Sequence, residues 1–73
     1  MNEELLAPLA GIILQMDINV GDSVEEDDDA MIIEAMKMET RIYIPCNGVV
    51  REVRVKKGDK VEEDDVLAVI QIN

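Results

Sequence analysis

The chain of 73 residues has no histidine, no tryptophan and no phenylalanine, and only one cysteine, Cys46, and one tyrosine, Tyr43. Without histidine it lacks the commonest metal ligand and the commonest general base. A single cysteine forms neither an intramolecular disulfide nor a cysteine-rich zinc site. Base or sugar stacking has almost no aromatic surface to use. Long apolar runs are missing too. No stretch approaches the ~20 residues of a membrane helix, and "MNEELL" lacks the basic region of a signal peptide, so a cytoplasmic protein is expected. Positive charge is scarce: 7 Lys and Arg stand against 17 Asp and Glu, for a net charge of −10. That balance repels nucleic acid and anionic lipid, and neither a nucleic-acid partner nor direct membrane contact is expected. These absences argue against a self-sufficient enzyme, and no catalytic residue or metal site is assigned. Residues 1–73 are expected to form one small domain that carries something or docks somewhere.

What is present is a repeat. Residues 6–34 lie over residues 43–71 at a shift of 37 without a gap, and 10 of the 29 positions are identical. The identities include Pro8/Pro45, Gly11/Gly48, Gly21/Gly58, Asp22/Asp59 and the run Glu25–Asp28 over Glu62–Asp65. Each copy reads as short strands. Ile12, Leu14, Met16 and Ile18 are expected on one face of a strand, with Ile13, Gln15 and Asp17 on the other; Val49, Val53 and Val55 match the first set, interrupted by Arg51. Residues 30–34 and 66–72 are apolar runs bounded by acidic turns, and Thr40, Ile42 and Ile44 alternate with Glu39, Arg41 and Tyr43. "VGDSV" and "KGDKV" carry the Gly-Asp turn signal. Two such units cannot each bury a face alone. An all-β flattened barrel or sandwich with a pseudo-twofold axis follows. In that arrangement the turn holding Lys37 joins the halves at one end and the chain termini meet at the other.

That turn breaks a local rule. "MIIEAMKMETRIYI" holds two strand-like segments with no Gly, Pro, Asn or Asp between them. A two-residue hairpin loop normally takes Asn-Gly or Asp-Gly, because both central residues need φ > 0. Met36-Lys37 in that slot costs about 1–3 kcal/mol per strained residue, and such violations concentrate at functional sites. Two readings stand for Met36 and Met38: core filler folded back beneath the turn, or soft surface presented to partners. Lys37 is correspondingly one more solvated lysine or an amine placed for modification.

"EAMKME", at the midpoint of this repeat, resembles the attachment motif of biotinyl domains, the biotin carboxyl carrier modules of biotin-dependent carboxylases, decarboxylases and transcarboxylases. The likeness runs through Ala7-Pro8 to Gly11, Gly21-Asp22 and Val24, Glu34 to Met38, Pro45 to Gly48, and Gly58-Asp59 and Val61. It implies two four-stranded antiparallel sheets with the attachment lysine on a hairpin tip. It assigns the cofactor site to Ala35, Met36, Lys37 and Met38, with biotin in amide linkage to Lys37. Glu34 and Glu39 are candidate contacts for a biotin protein ligase, or simply solvated; Glu39 is also placed to pair with Arg41. The further partners implied are a biotin carboxylase and a carboxyltransferase, between which activated CO2 is shuttled. The chain itself is then a non-catalytic carrier.

Some features depart from the family's usual pattern, and other readings compete with it. Asp27 and Asp64 stand where the family usually has Gly, and "Ala-Pro-Leu-Ala-Gly" replaces "Ala-Pro-Met-Pro-Gly". The gapless repeat has no thumb insertion, which points to thumbless carriers. The acidic runs lack the spacing of calcium loops and read as solvated turns. Two other readings remain open: a lipoyl acyl carrier, whose motif is usually Asp-Lys-Ala, and an unmodified β interaction module.

Overall fold

The computed structural model describes residues 1–72, which form eight strands: β1 (Asn2–Leu6), β2 (Gly11–Met16), β3 (Ser23–Val24), β4 (Asp29–Ala35), β5 (Met38–Tyr43), β6 (Gly48–Val53), β7 (Lys60–Val61) and β8 (Val66–Ile72). They make two four-stranded antiparallel sheets, in the orders β1-β8-β6-β3 and β5-β4-β2-β7. The sheets face each other as a sandwich that no continuous hydrogen-bond ladder closes into a barrel. Each sheet takes its central pair from one copy of the repeat and its edge strands from the other. Neither copy therefore completes a sheet by itself.

The interval of 37 runs through the backbone as well. Gly21 N donates to Val50 O at 2.8 Å and Gly58 N to Ile13 O at 2.7 Å; Asp27 N donates to Ile44 O and Asp64 N to Ala7 O, both at 2.9 Å. The acidic runs are not merely solvated. Asp28 Oδ2 accepts from Glu25 N at 2.9 Å and Asp65 Oδ2 from Glu62 N at 2.8 Å. Asp27 and Asp64 sit at φ 73° and 69°, left-handed values that Asp tolerates better than most residues. The family-atypical aspartates thus occupy the backbone slot that glycine would fill. Gly11 and Gly48 answer a different need. A Cβ on Gly11 would overlap the Glu34 carbonyl oxygen, and one on Gly48 the Gln71 carbonyl oxygen.

The core lies between the sheets, built on Ile13, Met31, Ile33, Ile44, Val50, Leu67 and Ile70, each almost wholly buried. This corrects the face assignment for β2 and β6. Ile13 and Val50 point inward, while Ile12 and Val49 are exposed. The cause is a β-bulge in each strand: Ile13 pairs with Ile33 but Gln15 with Ile32, and Val50 pairs with Ile70 but Glu52 with Val69. One extra residue, Leu14 or Arg51, reverses the alternation, so Met16 and Ile18 return to the core side in phase with Ile13. Arg51 interrupts nothing; it is the bulged residue, and it is exposed. In β5 the expected faces hold, with Ile42 buried and Glu39, Arg41 and Tyr43 outside.

The candidate attachment turn

Strands β4 and β5 form a hairpin whose rungs run from Asp29–Tyr43 to Ala35–Met38. Beyond Ala35–Met38 the chain reverses in two residues, Met36 at φ 52° and Lys37 at φ 64°. Positive φ at both central positions is the type I′ geometry that matches strand twist. For side chains with a Cβ it costs about 1–2 kcal/mol per residue, because Cβ crowds the following carbonyl oxygen. The turn therefore adopts the demanding geometry with residue types that resist it.

The hairpin projects past its neighbours. The last rung that β4 shares with β2 is Glu34–Ile12, so no third strand flanks the turn itself. The molecule extends 36 × 17 × 16 Å. The rung related to Ala35–Met38 by the repeat is Ile72–Met1, where Ile72 N donates to Met1 O at 2.8 Å. One end of the sandwich is thus closed by Met36-Lys37, and the equivalent rung at the other brings Met1 beside Ile72.

Exposure removes one of the two readings of the methionines. Met36 is 94% exposed and Met38 71%, so neither fills the core. Lys37 is exposed, and Ala35 is half-buried at the base of the turn. One rung below, Glu34 and Glu39 stand directly opposite each other, both exposed. Like charges in that relation destabilise a pair of strands by up to roughly 1 kcal/mol. Among the described residues neither takes part in an ion pair. Arg41 does not pair with Glu39: its Nη1 lies 3.5 Å from Asp29 Oδ2 on the neighbouring strand, a half-exposed contact. Arg41 stands opposite Ile32, and Asp29 is its diagonal neighbour, opposite Tyr43 on the same outer face.

Chemically, the turn offers one primary amine on a projecting, strained loop with two exposed thioethers beside it. That suits an acyl group joined to Nζ as an amide, because nothing in the turn encloses the amine and the linkage removes its charge. The chain's single thiol is poorly placed for such a role. Burial, followed by a hydrogen bond and the charge of Glu3 and the charge of Glu26, pushes the Cys46 thiol up, leaving little thiolate at neutral pH. Among the described residues no group of acidic and cysteine side chains is placed to hold a metal ion, and no helix is long and apolar enough to cross a membrane.

Comparison with known proteins gives a consistent picture. The family model described as Biotin-requiring enzyme matches residues 3–70. A biotin carboxyl carrier protein of Streptococcus mutans is 56% identical over 36 residues, which are 49% of this chain and 28% of that protein. The urea carboxylase of Kluyveromyces lactis contains a region that superposes with a TM-score of 0.89 at 38% identity, covering 97% of this chain and 6% of that one. A single-chain, multi-domain long-chain acyl-CoA carboxylase superposes with a TM-score of 0.91 at 26% identity, covering 99% of this chain and 7% of that one. The chain therefore spans only a small part of the proteins it matches.

Proposed function

The chain belongs to the biotin-requiring family, as a biotinyl attachment domain of the biotin carboxyl carrier type, and we propose that Lys37 is the residue that carries its biotin. The observation that carries this reading is the turn itself: two non-glycine residues held at positive φ on a tip that buries neither side chain. Residues 1–73 act as one carrier domain, with copies 6–34 and 43–71 supplying a rigid body for the tip.

Each residue of the turn has a task in this reading. A biotin protein ligase activates the biotin carboxylate with ATP as an acyl phosphate-type adduct, and Nζ of Lys37 attacks its carbonyl carbon, forming the amide as the nucleotide leaves with the carboxylate oxygen and Nζ gives up its proton. Bound biotin supplies a ureido nitrogen able to hold carboxylate, the chemistry that this chain's own side chains lack. Ala35 fixes the base of the turn against Met38, and the strained backbone keeps Lys37 aimed away from the sheets. Met36 and Met38 give adaptable apolar contact to more than one partner surface. Glu34 and Glu39 present paired carboxylates to a basic patch on the ligase. The partners are then a biotin carboxylase and a carboxyltransferase of a biotin-dependent carboxylase, and the domain is a carrier without catalysis of its own, working in the cytoplasm.

Co-expression with a biotin protein ligase and measurement of intact mass tests the proposal. One biotinyl group per chain is expected. A lipoyl-sized gain with a lipoate ligase, or no gain with either, would overturn it in favour of an acyl carrier or an unmodified module.

A further inference from the structure

Away from the tip, a cavity of about 380 Å3 opens at the waist of the sandwich, where the two copies of the repeat meet. Its floor is apolar and symmetric: Met16 and Ile18 from one copy face their repeat counterparts Val53 and Val55 from the other. Its rim is not symmetric. Asn19 and Val20 on one side correspond to Lys56 and Lys57 on the other. Both rims are held alike, by Asp22 Oδ2 accepting from Asn19 N at 2.8 Å and Asp59 Oδ2 accepting from Lys56 N at 3.0 Å. The scaffold is thus shared between the copies, and only the rim side chains have diverged.

Charge singles out the same place. Of the five basic residues within 51–60, Lys56 and Lys57 line the groove, while Lys60 pairs with Ile12 nearer the tip and Arg54 is held by Glu52. Lys56 and Lys57 are exposed, and among the described residues neither ammonium lies in an ion pair, although 17 carboxylates are available. Val20 on the opposite rim is 64% exposed. An apolar floor, one apolar rim and one cationic rim give the groove a direction.

We propose that this waist groove docks an acidic, apolar peptide segment of a partner protein, its bulky aliphatic side chains on Met16, Ile18, Val20, Val53 and Val55 and its carboxylates on Lys56 and Lys57. The groove is removed from the attachment turn. Met16 pairs with Met31, whereas Ile12, nearer the tip, pairs with Glu34 three residues along β4, a separation of about 10 Å along the strand. A segment seated there tethers the domain and raises its effective concentration near the partner while leaving Lys37 uncovered. The inference stands on the groove alone and does not depend on modification of Lys37.

The test uses the full, unmodified chain, labelled with 15N, and a short capped peptide of two leucines flanked by glutamates. Saturable amide shifts confined to residues 16–20 and 53–57 are expected, weakening as ionic strength rises. Lys56→Glu with Lys57→Glu should lower affinity by about tenfold or more while the spectrum stays dispersed, and Lys37→Ala should leave it unchanged. The idea fails if shifts map elsewhere, or if a peptide with lysines in place of the glutamates binds as well. It also fails if a free fatty acid or self-association of the chain accounts for the same shifts.

Discussion

The two ends of the sandwich are built on equivalent rungs and finished differently. At one end Ala35–Met38 is joined by Met36-Lys37; at the other the rung Ile72–Met1 brings the first and last described residues together. Both rungs form within the described residues, and at the closed end the link is a two-residue turn. Yet the residues at the closed end are ones that resist positive φ. A turn chosen for folding would carry Asn-Gly. Folding stability does not account for a projecting lysine and two solvent-facing methionines in this turn.

Four experiments break or sharpen this comparison. Lys37→Arg has the largest expected effect, abolishing biotin incorporation while urea unfolding leaves stability within about 0.5 kcal/mol of the parent. Gly48→Ala, in the strand scaffold common to both ends, should destabilise by about 1–3 kcal/mol, since the Gln71 carbonyl oxygen occupies the space a Cβ needs. Gly11→Ala should behave alike, and a large inequality between the two would break the equivalence of the copies. Installing Asn-Gly at the tip, by Met36→Asn with Lys37→Gly, should raise stability by about 1–2 kcal/mol in the same assay while removing the acceptor amine. A loss of stability would mean that Met36 and Lys37 hold the turn after all. The smallest effect is expected of Asp29→Ala, which removes a half-exposed 3.5 Å ion pair with Arg41 and should cost about 0.2–0.5 kcal/mol, fading at high salt.

Much of this was legible before the structure, for identifiable reasons. The fold class is written in Gly-Asp turns and in alternation such as Thr40, Ile42, Ile44, which side-chain period alone decodes. The tip is legible because Met-Lys violates turn chemistry. Three things were hidden. The bulges at Leu14 and Arg51 have no glycine to announce them, and each shifts phase by one residue, which is why Ile12 and Ile13 exchange faces. Strand β1 escapes notice because "NEELL" offers only one buried residue, Leu5, and its pairing with β8 is a contact between the chain's two ends. The roles of Asp28 and Asp65 are masked by neighbours of the same charge, since a run of acids does not say which oxygen accepts a backbone N–H.

The central claim concerns one amine among four lysines, Lys37, Lys56, Lys57 and Lys60. The most direct measurement is site-resolved mass spectrometry of the chain after treatment with a biotin protein ligase, alongside Lys37→Arg. The account predicts biotin on Lys37 alone and none on the variant. Biotin on Lys56, Lys57 or Lys60, or equal incorporation into Lys37→Arg, would contradict it.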